Sequence, residues 1–163
     1  MRTFLLLLAA VLHELGHVTC AALLHVPFSG IQLRLCGAVM TFDFSRVTYR
    51  RELCVHLAGG AFGIVAALVG SWLFGDSAAY FAGASVVLTA LNLLPIEGLD
   101  GGGALRCLLS CLMPPERAET VCHAVSVTTA LVLWCLILRL ALRSGVGLPW
   151  VLLGVYVVVR EVE

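Results

Sequence analysis

Hydrophobic residues occur along this chain in long runs, which shorter polar segments separate. Because a helix needs about 20 largely apolar residues to cross a membrane, we read each such run as a candidate span. The runs predict five spans: Thr3–Leu24, Leu53–Gly75, Ser77–Ile96, Thr120–Leu138 and Gly145–Val159. The fifth would rise only about 22 Å as a helix, which is less than a ~30 Å hydrocarbon core. The pattern therefore predicts an all-α polytopic membrane protein with about five transmembrane helices, built as a single domain over residues 1–163.

The segment between the first two spans has a different periodicity. Ile31–Leu35 alternates apolar and polar residues, which is the period of a strand. Gly37 follows, and a second apolar stretch runs over Val39–Phe44. This pattern predicts a short β-hairpin or edge strand at the membrane surface. The alternative is an irregular amphipathic loop.

Composition supports a membrane protein and excludes some function classes. The chain is 61% hydrophobic and 12% charged, whereas about a quarter of the residues in a soluble domain are charged. A formal net charge of zero gives no reason to expect nucleic-acid binding. The seven cysteines contain no C-x-x-C pair, so no disulfide framework is predicted. A metal site formed by Cys107, Cys111 and His123 is disfavoured, because their spacing is not typical of structural zinc.

The first predicted span contains an H-E-x-x-H motif, which consists of His13, Glu14 and His17. On a helix, four residues advance about 6 Å and about 400°, so the two histidines lie on one face. They can bind a zinc ion while the glutamate transfers a proton. A carboxylate near the middle of a membrane costs roughly 2.5–3.5 kcal/mol, so it is rarely present without a function. We therefore predict hydrolysis in the bilayer or at its edge; the alternative is that neighbouring helices merely satisfy these three groups.

A catalytic zinc ion needs a third protein ligand and an open fourth position. The candidates are His25 near the end of the first span, His56 early in the second, and Asp100. Pro95 interrupts the third span before Asp100, and irregular backbone at membrane depth is tolerated where it lines a watery cavity. Asp100 is therefore favoured as the ligand; the alternative is a polar loop in which its side chain is only solvated.

At these two motifs the chain resembles the site-2 protease family of intramembrane zinc metalloproteases. That family has H-E-x-x-H in one span and N-x-x-P…D-G at the end of a later span. Both patterns occur here, in His13–His17 and in Asn92–Gly101. The resemblance extends over roughly Leu5 to Gly103, within a catalytic core of about residues 3–103. The two spans over about residues 120–159 are accessory and carry no family signature.

The resemblance also implies roles for individual residues. It identifies His13, His17 and Asp100 as the Zn²⁺ ligands and Glu14 as the catalytic base. It further implies that Asn92 helps to hold the substrate or the tetrahedral oxyanion.

Two further segments bear on this resemblance. Ile31–Leu35 matches the family's membrane-edge hairpin, which can bind an extended substrate by strand addition. Ala58–Gly63 occupies the place of the family's A-G-P-x-x-N, with Gly60 and Gly63 replacing the proline and asparagine. Small residues still predict a close helix contact there. The compact build, with no room for a PDZ domain between the motifs, is most similar to the branch containing the stage IV sporulation protein FB.

Arginine counts predict the orientation of the chain. Seven of the ten basic residues lie on the side of loops 26–52 and 97–119: Arg34, Arg46, Arg50, Arg51, Arg106, Arg117 and Arg160. The positive-inside rule places that side in the cytoplasm. We therefore expect a multi-pass protein of a bacterial cell membrane whose active site opens toward the cytoplasm.

The predicted function is that of a zinc endopeptidase that cleaves a substrate protein in or near a membrane-associated segment. The expected partners are this substrate, the lipid bilayer and a regulatory membrane protein. A sigma-factor precursor in sporulation, an anti-sigma factor and a leftover signal peptide are all compatible substrates. The alternatives are a metal-transporting or metal-binding membrane protein that uses the same three ligands, and an inactive scaffold.

Overall fold

The computed structural model describes residues 2–34, 37–73, 75 and 78–144. The elements are α1 (Arg2–Leu23), β1 (Phe28–Arg34), β2 (Gly37–Phe42), α2 (Tyr49–Leu73), α3 (Ala78–Asn92), α4 (Asp100–Ser110) and α5 (Pro115–Ser144). This mostly helical architecture with one small sheet confirms the predicted fold class.

Three helices of the described chain are long and apolar enough to cross a membrane: α1, α2 and residues Pro115–Arg143 of α5. A fourth helix, α3, is apolar but shorter. The first two predicted spans agree closely with α1 and α2, whereas α5 begins five residues before the predicted start at Thr120. The fifth predicted span, Gly145–Val159, lies outside the described residues.

The predicted hairpin is confirmed. Strands β1 and β2 pair antiparallel, with Arg34 opposite Gly37 and Gly30 opposite Thr41. An isolated two-stranded hairpin is marginally stable in water, so it needs support from the rest of the protein. Phe42 provides some of this support by packing against the buried cluster that includes Val26 and Val55. This contact joins the hairpin to a cluster that residues of both α1 and α2 help to form.

The prediction was wrong about the segment that follows the third span. We expected the third span to extend to Ile96, with Pro95 interrupting it, and a loop over residues 97–119 to follow, but α3 ends at Asn92 and α4 starts at Asp100. Pro95 lacks the backbone N–H that a helix needs, and Gly98 adopts a φ of 87° in the turn between the helices. Asp100 is therefore the first residue of a short helix rather than part of an irregular loop.

Glycines allow α2 to approach its neighbours closely. A Cβ added at Gly16 of α1 would lie 2.7 Å from the carbonyl oxygen of Ala58. A Cβ added at Gly63 of α2 would lie 2.4 Å from Oγ1 of Thr89 on α3. The close helix contact predicted for Ala58–Gly63 is therefore confirmed. This packing brings the histidine-bearing face of α1 against α2.

Candidate metal centre

Three side chains, two from α1 and one from the start of α4, meet on the buried face of α1. Nε2 of His13 lies 3.0 Å and Nε2 of His17 lies 3.1 Å from Oδ2 of Asp100. The two Nε2 atoms are 3.3 Å apart. Both histidines are buried, and Asp100 is partly buried. The structure thus brings together the three residues expected to bind zinc.

A hydrogen bond fixes the orientation of the His17 ring. Its Nδ1 donates to the carbonyl oxygen of Val55 on α2, at 2.8 Å. In the neutral ring, Nε2 then carries the lone pair, and this lone pair faces the carboxylate of Asp100. Two electron-rich atoms 3.1 Å apart repel each other unless a cation lies between them or the ring is protonated. Histidine ligands of metals are usually oriented by such a hydrogen bond.

Asp100 is held in its ionised form. Burial raises the pKa of this carboxyl group, but the nearby histidines at positions 13, 17 and 56 lower it and more than offset burial. The pKa of Asp100 consequently lies well below the usual range of an aspartic acid. A carboxylate must be deprotonated to bind a metal ion, so Asp100 is available as a ligand.

The three donors fit a zinc ion. Tetrahedral zinc with bonds of about 2.0–2.2 Å keeps neighbouring ligand atoms about 3.3–3.6 Å apart, and the separations of 3.0, 3.1 and 3.3 Å here are slightly shorter. Gly59 of α2 leaves the space in front of the histidines free, because a Cβ there would lie 2.2 Å from Nε2 of His17 and 2.8 Å from Nε2 of His13. Two imidazoles and one carboxylate also form a typical ligand set of catalytic zinc.

Direct backbone packing positions Asp100. A Cβ added at Gly101 would lie 2.1 Å from the carbonyl oxygen of Leu93, and one added at Gly102 would lie 2.2 Å from that of Ile96. The start of α4 therefore rests on the turn that follows α3. The backbone N–H of Glu97 donates to Oγ of the buried Ser126, at 2.8 Å, which ties the same turn to α5.

We expect Gly102→Ala to destabilise the protein and to weaken metal binding. The new methyl group would meet the backbone carbonyl of Ile96, which cannot rotate away as a side chain would. Overpacking of this kind costs about 1–3 kcal/mol. Thermal unfolding and zinc affinity in detergent measure both effects. Gly83→Ala is the matched control, since a Cβ at Gly83 meets no atom within 4 Å; an equal loss in both variants would contradict the expectation.

The other candidate residues lie in different surroundings. Glu14 is partly buried on α1, next to His13, and Asn92 is the last residue of α3. Their proposed roles remain predictions. His25 is exposed beyond the end of α1 and is not among the three clustered donors. His123 approaches Glu97, with Nδ1 3.3 Å from Oε1.

A second group of donors is formed by Glu52, His56 and Cys107, whose ligand atoms lie within 4.8 Å of one another. The spacing of these three residues along the sequence did not predict that they would lie together. The contacts of Gly59 and Val55 with the histidines were also missed, although the A-G-G run at Ala58–Gly60 was a usable signal for a close approach of backbone.

Comparisons with known proteins show a similarity in structure. No protein-family model and no curated protein sequence matches the chain. Among solved structures, the chain is similar to the site-2 protease from Methanocaldococcus jannaschii, with a TM-score of 0.70 and 23% sequence identity. The similarity covers 97% of this chain and 74% of that one. The two proteins therefore share a fold, while placement in the stage IV sporulation protein FB branch remains a prediction.

Proposed function

We propose that this protein is an intramembrane zinc metalloprotease that hydrolyses a peptide bond in or near a membrane-associated segment of a substrate. One observation carries the proposal: two imidazole nitrogens and a carboxylate oxygen lie within 3.3 Å of one another in a helical, strongly apolar protein. The fold shared with a site-2 protease supports it. The proposed ligands are His13, His17 and Asp100.

The remaining residues of the site would carry the proton and orient the substrate. Zinc, when bound, supplies Lewis-acid polarisation of the scissile carbonyl and makes water more acidic. Glu14, beside His13 on α1, accepts the proton of the attacking water and passes it to the departing amide nitrogen. Asn92 donates its side-chain N–H to the carbonyl oxygen as negative charge develops there. The chain thus contributes a base, a donor and a fixed set of ligands.

The hairpin is the proposed docking element for the substrate. A helical peptide bond is closed to attack by its own hydrogen bonds, so the substrate has to become extended at the cleavage site. An extended peptide can add to the outer edge of a sheet through main-chain hydrogen bonds, and β1 and β2 form a sheet of only two strands in the described chain. The arginine distribution favours access from the cytoplasm of a bacterial cell.

The substrate and its regulation follow only from the resemblance. A sigma-factor precursor processed during sporulation is the proposed substrate class, and a membrane protein that restrains the enzyme is the proposed partner. The proposed role of the three ligands does not depend on the identity of this substrate or of this partner.

Removal of the metal tests this proposal. Purified protein in detergent should cleave a membrane-anchored peptide, lose at least about 100-fold in rate after treatment with a chelator, and recover when zinc is added back. Metal analysis should give a single zinc ion per chain.

The rival functions predict different results. A metal transporter would carry zinc into liposomes without cleaving the peptide, and an inactive scaffold would bind no zinc. Cleavage that persists at the full rate after complete removal of metal would exclude a metalloprotease.

A further inference from the structure

His56 on α2 lies between two carboxylates. Its Nδ1 is 3.9 Å from Oδ1 of Asp100, and its Nε2 is 3.9 Å from Oε1 of Glu52, one turn earlier on the same helix. The other oxygen of Asp100, Oδ2, faces the two histidines of α1. His56 thus approaches Oδ1 of Asp100, the oxygen that does not face the two histidines of α1.

Packing holds the His56 ring in this place. A Cβ added at Gly103 of α4 would lie 2.4 Å from the ring, so only glycine leaves room for it. The ring of Phe44 covers it from the hairpin side, with ring centroids 5.7 Å apart. Within the described part of the chain, Nε2 of His56 is buried without a hydrogen-bond partner. The position is therefore specific, while one polar atom is left facing Glu52.

An ion pair anchors the far end of this arrangement. Glu52 is only 3% exposed, and the guanidinium group of Arg106 on α4 donates to its Oε1. A buried carboxylate needs such a partner. The result is a continuous row, Arg106–Glu52–His56–Asp100, that begins and ends on α4 and passes through α2. We call these four residues the carboxylate row.

Glu52, His56 and Cys107 are not well suited to a second metal ion. Arg106 already places a positive charge on Glu52. Burial, and next the neighbouring Glu52, raise the pKa of Cys107 to about 12, so its sulfur is a thiol at neutral pH and a metal ion would first have to displace its proton. The carboxylate row is therefore better explained by its effect on the orientation of the Asp100 carboxylate.

We infer that His56 is a positioning residue of the proposed zinc site, which donates from Nδ1 to Oδ1 of Asp100 and so keeps Oδ2 turned toward the metal. The inference rests on the proposed function for the presence of zinc. The present 3.9 Å is longer than a hydrogen bond, and a movement of about 1 Å closes it to the usual distance. Removal of a residue that orients a metal ligand in this way typically lowers metal affinity by about 10–100-fold.

Three substitutions at one position separate positioning from packing. In His56→Asn the side-chain amide can place an N–H close to where Nδ1 stood, whereas in His56→Gln the amide reaches toward the Nε2 position near Glu52. His56→Leu keeps most of the volume and has no donor. We expect zinc affinity to fall by about 10–100-fold in His56→Leu and His56→Gln and to be largely retained in His56→Asn.

Competition with a fluorescent zinc chelator in detergent, at one fixed pH, measures the affinities. His123→Leu is the matched control, since this exposed histidine contacts Glu97 and is not one of the three proposed ligands; it should bind zinc like the unchanged protein. Equal affinity in His56→Leu and the unchanged protein would overturn the inference. So would equal losses in the Asn and Leu variants, which would indicate packing, or a drop from two zinc ions to one in His56→Leu, which would make His56 a ligand.

The same measurements separate this inference from the proposed function. If the unchanged protein binds zinc and shows the expected order of affinities but cleaves no peptide, protease activity fails and the positioning role stands. If it cleaves peptide with zinc and the order is absent, only the positioning role fails. If it binds no zinc, both are overturned.

Discussion

Glu14→Gln is expected to retain zinc and to lose nearly all peptide hydrolysis. The amide of glutamine has almost the same shape as the carboxylate but cannot accept a proton at pH 7. A positioned general base contributes about 10²–10⁴-fold to a rate, so the cleavage rate should fall by that factor. The three proposed metal ligands are unchanged, and a neutral side chain is easier to place in a membrane than a charged one. Loss of activity would therefore not reflect loss of folding.

Three measurements on the same preparation are needed for Glu14→Gln: zinc per chain, the rate of peptide cleavage, and the unfolding temperature. Glu116→Gln is the matched control, because Glu116 is exposed in the first turn of α5. It should behave like the unchanged protein in all three assays. Cleavage at the unchanged rate in Glu14→Gln would show that another group accepts the proton, and loss of zinc would show that Glu14 is a ligand.

Elements whose formation depends on local sequence were predictable. The spans that became α1 and α2 follow from apolar runs, of which the first is interrupted only by the H-E-x-x-H motif, and the hairpin follows from the alternation over Ile31–Leu35. Residues 100–110 were misjudged because three glycines at Gly101–Gly103 lower helix propensity. In the folded protein, however, Gly101 and Gly102 lie against the backbone of the preceding turn. Tertiary packing therefore outweighs propensity in α4.

The contacts within the site also differ in whether local sequence predicts them. His13 and His17 are four residues apart on one helix, so their shared face follows from helical geometry alone. The approach of Asp100 joins residues 87 positions apart in the sequence; the interruption of the third span at Pro95 and the motif resemblance suggested it, whereas residue spacing did not. The approach of His56 to Asp100 belongs to no motif and depends on how α2 and α4 pack. Such contacts cannot be obtained from spacing, because they are set by the crossing of helices.

Gly59→Ala is expected to abolish zinc binding with little change elsewhere. The added Cβ would lie 2.2 Å from Nε2 of His17 and 2.8 Å from Nε2 of His13, where the two proposed ligands meet. The ring of His17 cannot easily swing aside, since its Nδ1 is bonded to the carbonyl oxygen of Val55. We therefore expect zinc affinity to fall by more than about 100-fold, beyond the usual effect of a residue that only supports a ligand. Chelator competition measures this loss.

Gly60→Ala is the matched control for this change. It lies one residue further along α2, and its Cβ would face Thr89 of α3 at 3.2 Å instead of the histidines. Both substitutions add one methyl group to the same helix and gain the same helix propensity, about 1 kcal/mol. A loss of zinc in Gly59→Ala alone would therefore locate the ion between His13 and His17. If Gly59→Ala bound zinc as tightly as Gly60→Ala, the ion would have to lie elsewhere, and Asp100 would then be an ion-pair partner of the two histidines instead of a metal ligand.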